Sequence, residues 1–191
     1  TRTEALRHPL FWFMVPSLMG PSAFGTAFFF HQVHYSEIKG WEHLQFVSFL
    51  PLYTAGGVLA MLVSGWALDK FGTPRLIPFY QLPLSLAFIL FAQTSDVSLL
   101  LIGFLFFAVT AGANATLPNA FWAEFYGTEN LGALKALAAG LMVLGSAIGP
   151  GITGILIDLG VPLDRQYLWV SGFFVLCSIL VYIGISRSKS A

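Results

Sequence analysis

Long apolar runs separated by short polar stretches dominate the chain. Six of them approach or exceed the 20 or so apolar residues that an α-helix needs to cross a bilayer. These runs cover residues 9–31, 43–68, 76–94, 98–122, 131–157 and 166–186. Continuous runs of this length exclude the alternating pattern of a membrane barrel. The sequence therefore predicts an all-α polytopic membrane protein with six transmembrane helices, and we expect the sixth to face lipid on most sides.

Composition supports a membrane rather than a soluble protein. Of the 191 residues 57% are hydrophobic and only 9% are charged, whereas a soluble domain carries about 25% charged residues. The formal net charge is zero, so nothing suggests a nucleic-acid partner. Cys177 is the single cysteine, which excludes a disulfide within the chain. We expect the lipid bilayer as a partner and no cofactor.

The basic residues are distributed unequally between the two sides of the predicted bundle. Lys39 and Arg165 fall on one side. The other side holds Arg2, Arg7, Lys70, Arg75, Lys135, Arg187 and Lys189. The positive-inside rule then predicts that both termini are cytoplasmic, in a plasma membrane or a bacterial inner membrane. Residues 1–8 would be the end of a cytoplasmic connector, and residues 187–191 a cytoplasmic tail.

A polar turn joins the second and third runs. Gly72 can adopt a positive φ and Pro74 fixes its own φ, so the chain must turn here. The pattern Gly-x-x-x-Asp-Lys-x-Gly-x-x-Arg, formed by Gly65, Asp69, Lys70, Gly72 and Arg75, resembles the signature loop of the major facilitator superfamily of secondary transporters. In that family the loop joins the second and third helices of each six-helix half. We expect these five residues to form a cytoplasmic gate motif. The resemblance implies that residues 1–191 form one bundle, the C-terminal half of a longer transporter, with an N-terminal half as partner.

Two further stretches resemble one group within that superfamily. They are Glu4-Ala-Leu-x-x-Pro9-x-Phe11-Trp12 and Gly149-Pro-x-x-x-Gly154-x-x-x-Asp158, and they look like the monocarboxylate and oxalate–formate transporters. The fifth run is similar to a glycine-rich family helix that lines the junction between halves, which makes its small and kinking residues candidates for helix packing. These are Gly145, Gly149, Pro150 and Gly154.

One short sequence occurs twice at equivalent places. Gly65-x-x-x-Asp69 ends the second run and Gly154-x-x-x-Asp158 ends the fifth. Runs one to three and four to six therefore align at a fixed offset. Because three is odd, the second copy enters the membrane from the opposite side, and the sequence predicts two inverted three-helix repeats.

The fourth run has the most polar interior, with Asn114 near its middle. An amide in lipid needs a partner, so Asn114 either lines a cavity or bonds to a neighbouring helix. By the resemblance, the first and fourth runs line the central pathway and the second flanks it. The candidate substrate-binding residues are then Ser22, Thr26, His31, Tyr53, Thr110 and Asn114.

Charged residues lie only near the ends of the runs. His31 is therefore the one titratable group that we expect near the pathway. His31 and His34 lack a third ligand at matching spacing, so we expect no metal site. Asp69 should be stabilised by Arg75 or Lys70 across the turn, or by the first N–H groups of the fifth run near Gly132.

Catalytic motifs are missing from the sequence, so we expect no enzyme. The favoured function is a secondary active transporter, or half of one, that moves a small solute by alternating access, with organic anions among the candidates. The alternative is a non-transporting membrane protein of the same fold, receptor-like or an assembly subunit. A polar cavity open to water would favour transport, and a sealed, dry bundle would favour the alternative.

Overall fold

The computed structural model describes residues 6–189, with Lys189 described in its backbone alone, so the outermost residues of the predicted connector and tail lie outside the described part. Within that range the chain is helical and contains no strand. The helices are α1 Pro9–Phe30, α2 Gln32–Lys39, α3 His43–Ser48, α4 Leu50–Phe71, α5 Thr73–Leu76, α6 Leu82–Gln93, α7 Val97–Tyr126, α8 Leu131–Asp158 and α9 Leu163–Lys189. The predicted all-α polytopic membrane fold is confirmed.

The third predicted span is wrong in its first part. Residues 77–81 form turns, and only Leu82–Gln93 is α-helical. Two prolines lie at this break. Pro78 lies inside the turns, and Pro83 occupies the first turn of α6, where its missing N–H costs nothing. Among residues 6–189, five segments are therefore long and apolar enough to cross a membrane, and α6 is shorter.

Two smaller corrections concern the segment before α4. The predicted loop 32–42 contains the eight-residue helix α2, which ends at Gly40 in the left-handed conformation. The second predicted span is continuous in hydropathy but breaks at Phe49, between α3 and α4. Pro51 lies in the first turn of α4 and cannot donate the hydrogen bond that would join the two helices.

The helices run between two ends of the bundle. We call the end that holds residues 69–75 and 127–130 the motif end, and the end that holds residues 31–42, 94–96 and 159–162 the distal end. A hydrophobic cluster fills each half. The distal cluster is aromatic and centres on Phe28, whose ring stacks on Phe91 with centroids 4.4 Å apart. The cluster at the motif end surrounds Phe121 and Trp122.

Helix pairing follows the predicted repeat. The most extensive contacts are those of α4 with α7 and of α1 with α8, followed by α9 with α6, α6 with α7 and α9 with α1. Spans one to three are α1, α4 and α6, and their counterparts three spans later are α7, α8 and α9. Exchanging each span with its counterpart converts the pair α4–α7 into α1–α8 and the pair α6–α7 into α1–α9. The pair α6–α9 is unchanged. The two three-helix units are therefore related by an internal two-fold exchange.

The exchange holds at the level of single residues. A Cβ on Gly149 would lie 2.8 Å from the Cα of Ala23, and one on Gly112 would lie 2.7 Å from the Cβ of Ala60. Ala60 and Gly149 are separated in sequence by the same offset as Asp69 and Asp158, and so are Ala23 and Gly112. The same close approach of two helices thus occurs once in each pair.

A second pair of contacts obeys that offset. A Cβ on Gly145 would lie 2.8 Å from the carbonyl oxygen of Met19, and one on Gly56 would lie 3.2 Å from the Cβ of Ala108. Small residues allow both helix pairs to pack almost backbone to backbone, as membrane helices do. The helices α4 and α8 carry the repeated Gly-x-x-x-Asp sequences. Each packs closely against one neighbour, α7 and α1 respectively, along one narrow stripe of small residues.

Burial differs from the expectation for the sixth span. α9 packs against α6 and α1 and is among the most buried of the long helices, so the prediction that it faces lipid on most sides is wrong. The least buried long segments are α4 with α3, and α8. Hydropathy could not distinguish these cases, because lipid and a bundle interior accept the same apolar side chains.

The connecting helix α2 is fastened to the distal end. The Tyr35 hydroxyl donates to the Phe91 carbonyl at 2.7 Å, and Lys39 Nζ donates to the Ala92 carbonyl at 3.1 Å. Lys39 also forms an ion pair with Asp164, with Nζ and Oδ1 2.9 Å apart. Burial of Tyr35, and secondarily the nearby Asp164 carboxylate, raises the pKa of its phenol well above the usual range. Tyr35 therefore stays a neutral hydrogen-bond donor, and α2 closes over the end of α6.

Candidate functional site

A cleft of about 560 Å³ opens between α1, α4, α6 and α7. It extends from the middle of the bundle toward the distal end, and its walls combine aromatic rings with a few polar side chains. The lining residues are Pro21, Ser22, Gly25, Thr26, Phe29, Phe30, Tyr53, Leu84, Phe107, Thr110, Ala111 and Asn114. A volume of this size falls in the range of small-molecule pockets, about 300–1,000 Å³.

Five of the six predicted substrate-binding residues line this cleft, namely Ser22, Thr26, Tyr53, Thr110 and Asn114. The structure does not bring His31 to it. His31 follows the last residue of α1, its Nδ1 lies 2.9 Å from the Ala27 carbonyl, and its Nε2 faces Gly154 on α8. Five of the six residues therefore share the cleft, and His31 lies apart from them, between α1 and α8 at the distal end.

Thr110 has a structural task at the broken third span. Its hydroxyl donates to the Tyr80 carbonyl at 3.0 Å and accepts from the Leu84 amide at 3.1 Å. The side chain is 1% exposed. Backbone groups freed by a break in a membrane helix must find other partners, and Thr110 supplies one for each side of the gap.

Asn114 belongs to a chain of polar side chains that also reaches the break. Its Oδ1 accepts from the Tyr80 hydroxyl at 3.2 Å, which in turn accepts from Gln81 Nε2 at 2.8 Å. Gln81 Nε2 also donates to the Ser17 carbonyl on α1. This network connects three spans beneath the cleft, so Asn114 both lines the cavity and bonds to a neighbour.

Sequence reasoning missed the importance of Tyr80 and Gln81. Both are buried, at 6% and 1% exposure. The available signal was the pair Pro78 and Pro83, which bracket two adjacent polar residues inside an apolar run. Prolines at that separation predict a non-helical segment, whose polar groups in a bilayer must turn inward.

Several polar atoms of the cleft lack a hydrogen-bond acceptor among the described residues. The hydroxyls of Ser22, Thr26 and Tyr53 and the Nδ2 of Asn114 donate to no other atom among residues 6–189. Some hydroxyls elsewhere on the long helices bond back to their own backbone, as Thr54 does to the Leu50 carbonyl at 3.0 Å and Thr116 to the Ala113 carbonyl at 3.2 Å, whereas Ser178 on α9 also lacks a partner in the described part of the chain. The cleft therefore presents free hydrogen-bond donors.

Aromatic rings make up the apolar part of the cleft wall. The rings of Phe29, Tyr53 and Phe107 lie against one another, with centroids 5.5–5.6 Å apart. Phe30, at 73% exposure, adds a ring at the edge of the cleft. Charged side chains do not contribute to the lining in the described part of the chain.

The turn that carries the Gly-x-x-x-Asp-Lys-x-Gly-x-x-Arg pattern lies at the motif end, away from the cleft. Gly72 has φ of 75°, as its position in the turn predicted, and separates α4 from α5. Thr73 is 1% exposed, and both its hydroxyl and its amide donate to Glu124 Oε2 at the end of α7. Glu124 is thus the side chain that anchors the turn, which the sequence had not indicated.

Asp69 lacks the contacts expected for it. Within the described range its carboxylate forms no ion pair or hydrogen bond with Lys70, Arg75 or the start of α8. Lys70 instead lies over the ring of Trp66, 5.1 Å from its centroid. Gly132, at the start of α8, has no other residue close to its Cβ position. The expected Asp69 contacts are therefore absent from this structure.

Comparison with known families decides the class of the protein. Residues 48–191 match the family described as Major Facilitator Superfamily. The chain belongs to the Major Facilitator Superfamily. Its members are membrane transporters, and the polytopic helical bundle agrees with that class. A search of curated proteins found no match.

The match to the Major Facilitator Superfamily covers most of the helices that form the repeated contacts. The match includes α4 to α9, and therefore the motif turn, both helices of the pair α4–α7 and one helix of the pair α1–α8. The roles of the individual cleft and motif residues stay predictions.

Proposed function

We propose that this chain is the C-terminal half of a secondary transporter that moves a small solute by alternating access. The observation that carries the proposal is the cleft. It lies at mid-bundle, and donors without partners on α1, α4 and α7 point to a solute there. An open cleft with several polar side chains in its walls favours transport over the sealed, dry bundle expected of a non-transporting relative.

The proposal includes a partner and an orientation. An N-terminal half of the same polypeptide would close the open side of the cleft and cover the exposed faces of α4 and α8. The motif end would be cytoplasmic, as the basic residues predict. The similarity to the monocarboxylate and oxalate–formate group stays a hypothesis from sequence, since no cationic side chain of residues 6–189 lines the cleft to hold an organic anion.

Alternating access makes a reciprocal prediction for the two ends. We would place single cysteines at Ala136, exposed near the start of α8, and at Thr26 in the cleft, in the natural polypeptide that carries this chain. A bulky maleimide at the Ala136 position should hold the motif end open. Labelling at the Thr26 position, measured from the distal side in sealed vesicles, should then slow severalfold.

The same bulky label at Glu129, on the loop between α7 and α8, serves as the control and should leave labelling at the Thr26 position unchanged. If modification at Ala136 also has no effect, the two ends are independent. That result would favour the non-transporting alternative.

A further inference from the structure

We propose that the cleft takes an uncharged, ring-bearing part of the solute that carries a hydrogen-bond acceptor such as a carbonyl oxygen. This inference rests on the proposed transport function and names the class of solute for the same site. It concerns the wall that this chain supplies, formed by α1, α4, α6 and α7.

The first argument is shape and surface. The contiguous rings of Phe29, Tyr53 and Phe107 offer a broad apolar wall, and Phe30 adds an exposed ring at the edge. Aromatic partners stack in offset or edge-to-face arrangements that contribute beyond simple burial. A planar ring is therefore a better match for this wall than a compact polar solute.

The second argument is the direction of the free hydrogen bonds. Asn114 Oδ1 already accepts from the Tyr80 hydroxyl, whereas Nδ2, which can only donate, has no partner among residues 6–189. The Thr110 hydroxyl has already used its single donor on the Tyr80 carbonyl. The hydroxyls of Ser22 and Thr26 lie four residues apart on one face of α1, and both can donate.

The third argument is the charge of the solute. An anion would be desolvated without a fixed positive charge on this wall to offset the cost. A cation would find aromatic faces but would meet the donor amide of Asn114, and carboxylates are missing from the lining that residues 6–189 provide. An uncharged acceptor satisfies the donors without either penalty.

The test compares three probes that share one ring, namely benzamide, benzoate and benzylammonium. A cysteine introduced by Ala111→Cys lines the cleft and reports occupancy through protection from maleimide, while the native Cys177 is buried. In the natural polypeptide, benzamide should give half-protection at a concentration about tenfold lower than either charged probe. Preferred protection by benzoate or by benzylammonium, or no protection by any probe, would overturn the proposal.

Paired amide variants test the role assigned to Asn114. Asn114→Leu should raise the half-protecting concentration of benzamide about fivefold, as expected for one lost hydrogen bond. Asn119→Leu is the matched control, because Asn119 lies on the same helix, is exposed, and bonds only to the Ala115 carbonyl. Equal effects of the two variants would remove Asn114 from the site.

The two proposals can fail separately. Reciprocal labelling of the Ala136 and Thr26 positions without protection by benzamide would leave transport standing and reject the solute class. Protection by benzamide without reciprocal labelling would support the site and reject alternating access.

Discussion

The close approach of α1 and α8 allows a matched test of how the bundle is held together. Gly149→Ala would place a Cβ against the carbonyl oxygen of Ala23 and 2.8 Å from its Cα. Both are backbone atoms and cannot turn aside. Carbon atoms pack best at about 3.5–4.0 Å, so the two helices must separate by about 1 Å along this stripe.

Gly151→Ala is the control because it lies on the same helix, two residues away, with no other residue within 4 Å of its Cβ position. Both variants gain the same helix propensity, about 1 kcal/mol, so that gain cancels in the comparison. What remains is the cost of overpacking, about 1–3 kcal/mol. At about 2–4 °C per kcal/mol for a chain of this size, Gly149→Ala should melt about 2–12 °C below Gly151→Ala.

Thermal unfolding in detergent, followed by the far-UV circular dichroism of the helices, measures this difference. Gly112→Ala should behave like Gly149→Ala, because its Cβ would lie 2.6 Å from the amide nitrogen of Met61 in the symmetry-related pair α4–α7. Equal melting of Gly149→Ala and Gly151→Ala would refute the account of the helix pairs given above.

Three further predictions concern the polar contacts. Thr110→Val should lower the free energy of unfolding by about 2 kcal/mol, because it leaves two backbone groups at the break unpaired. Thr116→Val, which removes a bond within one helix, should cost less than about 1 kcal/mol in the same denaturation series, and equal costs would contradict the assigned role. Tyr35→Phe removes the bond to the Phe91 carbonyl and should cost about 1 kcal/mol, seen as faster proteolysis of residues 32–42; unchanged cleavage would count against the fastening of α2. Glu124→Ala should speed amide hydrogen exchange at residues 73–77 about tenfold, and unaltered exchange would show that Glu124 does not anchor the turn.

Hydropathy and turn chemistry predicted much of the fold. The ends of α1 and α8 lie within one residue of the predicted runs, because the change from apolar to polar side chains marks the membrane edge directly. The turn at Gly72 was also predictable, since glycine alone adopts its φ of 75° without strain. The repeat of Gly-x-x-x-Asp correctly predicted the offset that the helix contacts obey.

Other features could not be predicted from local sequence. The burial of α9 depends on which helices surround it, and an apolar helix has no signal that separates lipid from protein. The anchoring of Thr73 by Glu124 joins residues 51 positions apart. The polar residues of the first and fourth runs were correctly predicted to lie together in the cleft. The hydrogen bonds of the Thr110 hydroxyl to Tyr80 and Leu84 could not be predicted, because they depend on a break in a third helix.

The break before α6 also has a consequence for biosynthesis. A helix of 12 residues spans about 18 Å, well short of the roughly 30 Å of a hydrocarbon core. The carbonyl of Tyr80 finds its partner in Thr110, 30 residues later in the chain. Until α7 has emerged from the ribosome, the third span would stand in lipid with unpaired backbone groups. We therefore expect the two helices to leave the translocon together as a hairpin, with α7 completing the membrane passage of the span made before it.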